Sequence, residues 1–595
     1  MTENLTAPTQ LHRAPTIGAP TTGAPTTGAP TVSTRGPAAA AGRVPWRAAS
    51  VIGLVAFTIS VIGSWIPSLW GDEAASIMSA ERPWSSLFSM LGNVDAVHGT
   101  YYVFLHLWID LFGASTFSVR LPSSIAVGVA AAGIVVLAHR LGNRRVAMMA
   151  GILFAVLPRV TYMGAEARSY MIGTALAVWL TILFVHLVSR RVTSRLAWLG
   201  YAALFALSIY VFLYLVLLAV VYAVTLLAYS RDRRLVLRWL GWSALGVALA
   251  GPLIYFAAHQ REQVAFLGHR HGVTPLSFIV TQWFGSDALA LAAWLTIAAL
   301  VATSVVALVR RRRRARAGAP GGAAADVSAR ASERGGAAAG VSVSAAASRP
   351  APSSGPASPA HPGPAIALRL IGEHDRPNLL VLAFAWFVLP PLALFMATTF
   401  ITPMYSVRYM SFVTPAIAIL LALAIDVLAR RRWIAVAVVA ALVALATPSD
   451  IAQRGAYAKD GGSDWAQVAQ VIGQNSHAGD AIAFDETARP SRDPRLAMHV
   501  YPADFVNVVD VTLRAPYEDT AGLWDATQSI SASAGRIAQT DGRLWLVEYH
   551  GLDGAGVINT IGQAKRLAEL HALGYTVTRT FTLHRDAVYL LTKGS

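Results

Sequence analysis

The feature that most constrains this chain is a repeating run-length. Apolar stretches of roughly 17 to 25 residues recur along it, the length a helix rising 1.5 Å per residue needs to cross about 30 Å of hydrocarbon. Hydrophobic residues make up 55% of the sequence and charged residues 13%, about half the ~25% charged fraction usual in soluble proteins. Lipid offers no partner for backbone polar groups, so such segments are read as helices. An α-helical polytopic membrane protein is the expected class.

The formal net charge is +16, which in a soluble protein would point to nucleic acid. Here the arginines cluster at alternate ends of the apolar runs, with no interleaving of basic and aromatic residues, so they are read as topological marks and nucleic acid is excluded as a partner. There is no cysteine, which excludes disulfides, thiolate catalysis and Cys-ligated zinc or iron–sulfur sites.

Residues 1–46, with the repeat GAPTTGAPTTGAPT from Gly18 to Thr31, have a composition that cannot bury a core and are expected to form a disordered cytoplasmic tail. The first apolar run begins after Arg47, too far in for a signal peptide. Spans are expected at Ala48–Ile66, Val119–His139, Ala147–Tyr162 and Met171–Val188. Leu196–Tyr229 is about 34 residues without a polar turn, one over-long helix or two tight ones; keeping Arg231, Arg233 and Arg234 inside requires two. Further spans follow at Leu240–Ala257, before the run Arg310–Arg314, and at Leu379–Phe400, Tyr409–Leu428 and Trp433–Ala446. The total is about eleven, dividing the membrane part into 47–315 and 377–448 around a disordered cytoplasmic linker at 316–376, in a multi-pass plasma-membrane protein with its amino terminus in the cytoplasm.

Between the first two spans, 67–118 is too polar to cross and is read as an outer loop with two helices lying at the membrane surface. From 449 to 595 the hydropathy falls to soluble values, and helix-like DWAQVAQVIGQ alternates with short strands such as AIAF and LWLVEY. This segment is expected to be a small α/β domain outside the membrane, ending in a helix and two strands.

Charged residues beside lipid are costly unless they have work or partners. The first candidates are Asp72 and Glu73 in WGDE, directly after the first span: a carboxylate there can take a proton from an attacking hydroxyl, or simply satisfy free amides at a helix start. A second group is Asn93, Asp95, His98, Tyr101 and Tyr102 in GNVDAVHGTYY, where aromatic rings beside a carboxylate suit a sugar face; an interfacial aromatic belt explains the tyrosines equally well. A third is Glu166, Arg168 and Tyr170 in EARSY, with an ion pair between Glu166 and Arg168 as the plain alternative. The fourth is Arg408 with Tyr409, an arginine on the side the positive-inside trend disfavours and suited to a lipid phosphate, or to snorkelling toward headgroups. A loop with His259, Arg261, Glu262, His269, Arg270 and His271 lacks any recognised metal-ligand spacing.

The order of these features resembles the GT-C superfamily of membrane glycosyltransferases, and within it the glycosyltransferase family 39 type that includes protein O-mannosyltransferases and aminoarabinose transferases. The resemblance rests on WGDE, on HGTYYVFLHLW running to LFG, on VRLPS at Val119–Ser123, on AEARSY and on VRYM. Where the family commonly reads HPPLYY, this chain has Gly99 and Thr100 in place of prolines. The resemblance implies inverting transfer of a sugar, mannose first, from a polyprenyl-phosphate donor to an acceptor on the outer face. The acceptor would be an envelope glycan, a glycolipid or a protein. It implies Asp72 as the base, Glu73 assisting or contacting a divalent ion (Mg or Mn) where one is used, Arg168 and Arg408 on the donor phosphate, and Glu166 orienting Arg168 or the acceptor. Asp95, His98, Tyr101, Tyr102, Tyr170 and Tyr409 would line the substrate. No P-loop or GxGxxG follows a strand, in keeping with a donor that is not a soluble nucleotide. A transporter or lipid flippase, or a non-catalytic envelope-binding scaffold, is the competing reading.

Overall fold

The computed structural model describes residues 44–262, 274, 276–317, 376–401, 403–429, 431–550 and 560–594. The low-complexity segments expected at 1–46 and 316–376 lie almost entirely outside the described residues, as do His269, Arg270 and His271.

Six helices are long and apolar enough to cross a membrane, eight if each of two bent pairs is one span, and three shorter apolar helices complete the set. Every span expected from the sequence lies on one of these segments. The membrane part begins with α1 (Trp46–Val61), followed by α2 (Gly71–Glu81), α3 (Trp84–Asn93) and α4 (Gly99–Phe112) in the expected loop. Next come α5 (Thr116–Leu141), α6 (Arg144–Val156), α7 (Pro158–Gly164) and α8 (Tyr170–Ser189). Ser115 and Asn143 cap α5 and α6 by accepting from the amides of Ser118 and Val146. Pro158 cannot donate within a continuing helix, so the chain bends by 59° between α6 and α7.

The long apolar stretch is two helices, α9 (Arg195–Val211) and α10 (Leu218–Tyr229), separated where Phe212 takes an extended conformation at φ −153°. After them come α11 (Arg233–Leu249) and α12 (Gly251–His259), bent by 55°. The membrane part closes with α13 (Asp287–Ala317), α14 (Leu379–Phe400), α15 (Thr414–Leu428) and α16 (Arg432–Ala452).

Helix α5 is the central post, with 78% of its most apolar window buried. It meets α1 through Gly53 and Gly128, where a Cβ on Gly53 would lie 2.8 Å from the Gly128 carbonyl oxygen. Small residues at such a crossing let the two backbones touch, the usual means of association where lipid removes the hydrophobic drive.

The C-terminal segment folds as α17 (Trp465–Asn475), a five-stranded sheet and a late helix, α18 (Thr560–Ala572). The sheet is built from β1 (Asp480–Phe484), β2 (Val508–Asp510), β3 (Arg543–Tyr549), β4 (Tyr575–Thr582) and β5 (Asp586–Lys593) in the order β2-β1-β3-β5-β4. The first three strands are parallel, with Ile482 opposite Trp545, and β5 is antiparallel to both β3 and β4.

This domain is not a separate appendage. Leu69, Ile77, Met78, Leu87, Tyr101 and Tyr102 from the loop share one buried core with Trp465, Ile472, Phe484, Trp545 and Val588. The opposite faces of α3 and α4 leave Phe88, Leu107, Leu111 and Phe112 exposed, the amphipathic pattern of helices lying in a membrane surface.

Candidate active site

Helix α2 starts directly after Trp70, whose backbone is extended, and no side chain caps its first turn. Asp72 and Glu73 both fall in that turn, where the helix dipole favours acids. Adjacent helical residues point about 100° apart, and the two carboxylates meet different fates.

Glu73 is fully buried, and both oxygens are engaged: Arg120 Nε donates to Oε1 at 2.7 Å and Nη2 to Oε2 at 2.5 Å, while the Ala167 amide donates to Oε1 at 2.9 Å. Arg120 spends its remaining donors on the carbonyls of Ser64, Pro67 and Ser68. The Glu73 carboxylate is thus held by protein donors. It ties together the end of α1, the start of α5 and the α7–α8 turn, with both oxygens accepting from protein donors. Among the described residues no group of three His, Asp or Glu is arranged to hold a metal ion.

Asp72 is the carboxylate that faces the site. Its Oδ2 pairs with Arg408 and lies 3.7 Å from Arg168 Nη2, with 19% of the side chain exposed. Arg408 comes from the short 407–413 turn before α15 and also sits 5.3 Å over the Trp70 ring. Arg168 comes from the α7–α8 turn and donates to Ser76 Oγ at 3.2 Å and Tyr102 Oη at 3.3 Å, while its Nε has no partner among the described residues. Three stretches far apart in sequence thus converge on one carboxylate between two guanidiniums.

The remaining expected residues extend this cluster. The Tyr102 hydroxyl donates to Asp95 at 2.5 Å, and Asp95 itself takes a left-handed backbone, φ 61°. His98 packs 6.0 Å from the Tyr102 ring, and its pKa is pushed down to about 4, first by lost hydration and second by Arg168, so it is neutral at physiological pH. Tyr101 is buried with its hydroxyl unpartnered. Tyr170 lies 6.5 Å from Tyr409, which stacks on Tyr214 at 5.0 Å. Asn93 donates to the Ser89 carbonyl at 2.8 Å.

The plain alternative for Glu166 and Arg168, a mutual ion pair, is not what forms. Arg168 turns to Asp72, and Glu166 lies 3.7 Å from Lys459 Nζ. Beside Arg408 a cavity of about 350 Å³ is walled by Trp70, Arg159, Tyr162, Glu166 and Asp460. A second cavity of about 400 Å³, between α10, α13, α14 and α15, is apolar and holds no charged group.

Four participants escaped the sequence reading. Arg120 lies inside VRLPS but was not recognised as the partner of Glu73. Arg159, which donates to the carbonyls of Gln282 and Thr281, was read as part of an ordinary span. Gln260, next to His259, pins the loop ahead of α4 by accepting from the Ala96 amide at 2.9 Å and donating to the Leu91 carbonyl at 3.0 Å. Lys459 had one available signal: it is among only three lysines in a chain that otherwise uses arginine.

The fold has counterparts among solved structures. It is similar to the crystal structure of ArnT from Cupriavidus metallidurans in the apo state, with a TM-score of 0.50 and 13% identity over 91% of this chain and 97% of that one. The same protein bound to undecaprenyl phosphate gives 0.49 at 13% identity over 91% and 97%. The Archaeoglobus fulgidus oligosaccharyltransferase in complex with Zn and sulfate gives 0.44 at 12% over 91% and 72%. More particularly, residues 100–256 match the family model for dolichyl-phosphate-mannose-protein mannosyltransferase. The resemblance read from WGDE, VRLPS and AEARSY is borne out by the fold and by this segment. No curated protein sequence matches the chain.

Proposed function

We propose that this chain is an inverting glycosyltransferase that moves a sugar from a polyprenyl-phosphate donor to an acceptor on the outer face of the plasma membrane. The observation that carries the reading is the convergence of Asp72, Arg168 and Arg408 beside the cavity. A carboxylate suited to take a proton stands next to two cations suited to a phosphate. The family model's description supports the donor class, since dolichyl phosphate mannose is itself a polyprenyl-phosphate sugar. Mannose is the first sugar to test, and the acceptor is an envelope glycan, a glycolipid or a protein.

In this mechanism the acceptor hydroxyl attacks the anomeric carbon from the face opposite the phosphate. Asp72 takes the hydroxyl proton, the new C–O bond forms as the bond to the phosphate oxygen breaks, and the polyprenyl phosphate leaves with the bonding electron pair. Charge grows on the leaving phosphate, where fixed guanidiniums contribute most. Arg408 and Arg168 hold that phosphate. Each guanidinium carries five N–H donors, so contact with Asp72 leaves room for phosphate oxygens. Glu73 and Arg120 act as positioning residues that fix the first turn of α2. Asp95, His98, Tyr101 and Tyr102 extend the cluster around Arg168 from the loop, with Tyr170 and Tyr409 from the bundle. The positive-inside rule orients this end outward, because the exposed arginine clusters lie at the opposite end.

The test is transfer of radiolabelled sugar from purified polyprenyl-phosphate sugars to endogenous acceptors in membranes holding the chain. Transfer from at least one donor is the expected result; none across mannose, arabinose and other hexose donors would contradict the reading.

A further inference from the structure

The proposed mechanism leaves the pair Glu166 and Lys459 without a role, although Glu166 stands at the wall of the cavity. Glu166 is fully buried, and neither carboxylate oxygen has a hydrogen-bond partner among the described residues. Its one close cation, Lys459 Nζ, is 3.7 Å away, too long for a hydrogen bond. That ammonium makes its short contacts elsewhere, donating to the Tyr162 carbonyl at 2.9 Å and sitting 3.7 Å from the centre of the Tyr162 ring. A buried carboxylate with its acceptor capacity unspent is costly, and the neighbouring ammonium offsets the charge without satisfying the lone pairs.

The carboxylate is also held still. Ser123 Oγ donates to the Glu166 carbonyl at 2.6 Å and lies 3.2 Å from that of Arg168, and the Ala167 amide is fixed on Glu73. Lys459 is fixed as well: it opens a tight turn in which the amides of Gly462 and Ser463 donate to its carbonyl, each at 2.9 Å. Asp460, Gly461 and Gly462 all have positive φ there, at 45°, 67° and 110°. The turn joins the last membrane helix to the C-terminal domain, and Ser463 Oγ donates to the Leu69 carbonyl just ahead of α2.

We propose that Glu166 and Lys459 form a hydroxyl-binding subsite of the transfer cavity, in which the carboxylate accepts hydrogen bonds from adjacent ring hydroxyls of a sugar and Lys459 is the positioning residue that keeps it ionised. Trp70 and Tyr162, on the same wall, offer ring faces to the sugar's C–H edge. The subsite is completed only by the segment entering the C-terminal domain, which makes that domain part of the active site. This inference rests on the transferase reading.

The surroundings give a pH signature. Burial, and then Glu73, push the Glu166 pKa up, while Lys459 pulls it down. Burial pushes Lys459 down to about 8 against the pull of Glu166 and Glu73, with Arg120 and Arg454 adding to the depression. Below that value the ammonium is charged and supports the carboxylate; as pH rises through it the proton leaves and the support is lost. Activity should therefore fall on the basic side near pH 8.

The experiment compares wild type with Lys459→Met, Lys459→Arg and Glu166→Gln in membranes. It follows kcat/KM for polyprenyl-phosphate mannose, or whichever donor the wild type uses, from about pH 6 to about pH 10, a window set around the Lys459 value. Lys459→Met should lose about ten- to hundred-fold in kcat/KM, and Lys459→Arg should recover most of it while abolishing the fall near pH 8. Glu166→Gln should leave a residual activity without that basic limb. A rise in donor KM places the donor sugar in the subsite, and an unchanged donor KM with lower turnover places the acceptor there. Wild-type kinetics in Lys459→Met, or a basic limb that persists unmoved in both Lys459→Arg and Glu166→Gln, overturns the subsite alone. Wild type inert with every donor overturns the transferase reading and the subsite with it.

Discussion

The two ends of the membrane bundle use the same residue for opposite purposes. At one end Arg144, Arg190, Arg191, Arg231, Arg233, Arg234, Arg431 and Arg432 are exposed. Arg191, 60% exposed, pairs at 2.9 Å with Asp232, itself 35% exposed. At the other end Arg82 and Arg120 are fully buried, Arg168 is 7% exposed, and Arg408 leaves 16% of its side chain accessible. An exposed arginine costs little and marks topology. A buried one must be repaid by partners, and here the partners are the backbone around α2 and the carboxylates Asp72 and Glu73. The contrast teaches that charge counting locates the membrane, whereas burial of charge locates the chemistry.

The strongest way to break this contrast is to remove a buried cation that only positions. Arg120→Met strands the Glu73 carboxylate, and leaving one partner of a buried pair typically costs about 3–5 kcal/mol. Thermal unfolding in detergent should show a large loss, and an unchanged midpoint would mean the pair does not hold α2. Next in size is Arg408→Lys, which keeps the charge and loses the planar fork. It should fold normally and raise donor KM roughly ten- to hundred-fold; wild-type KM would remove Arg408 from the phosphate. The smallest effect belongs to the other end. Arg191→Ala breaks an exposed pair worth at most about 1 kcal/mol and should leave both stability and transfer near wild type.

How much of this was legible in sequence follows the same division. The spans were legible because hydropathy is local, and the break within 196–229 followed from arginine placement alone. Asp72, Arg168 and Arg408 stood out as polar residues at span ends and Asp95 and Tyr102 as a polar and aromatic group in the outer loop, and the structure gathers all five. The partners were not legible. Glu73 meets Arg120 across 47 positions and Ala167 across 94, and Lys459 reaches the Tyr162 carbonyl across 297. Nothing in a local window distinguishes Asp72 from its neighbour, although one lies between Arg168 and Arg408 and the other is sealed against Arg120.

The C-terminal domain shows the same limit. Its strands and helices could be read from alternation, but its attachment could not. Arg82 donates to the carbonyls of Thr520, Gly522 and Leu523, and the Tyr501 hydroxyl accepts from the Leu69 amide at 2.8 Å. Gly71 packs so closely that a Cβ there would lie 1.9 Å from the Ser491 carbonyl oxygen. These contacts clamp the helix carrying Asp72, so a domain that reads in sequence as a fused module is built into the support of the site.

The central claim is that Asp72, and not the carboxylate beside it, performs proton transfer between two phosphate-binding arginines. Its most direct test is transfer and donor binding measured together for wild type and Asp72→Asn at equal expression. The account predicts that Asp72→Asn folds and still binds the polyprenyl-phosphate sugar, while turnover falls by about 10²- to 10⁴-fold, the range typical of a lost general base. Turnover at the wild-type level in Asp72→Asn would contradict it.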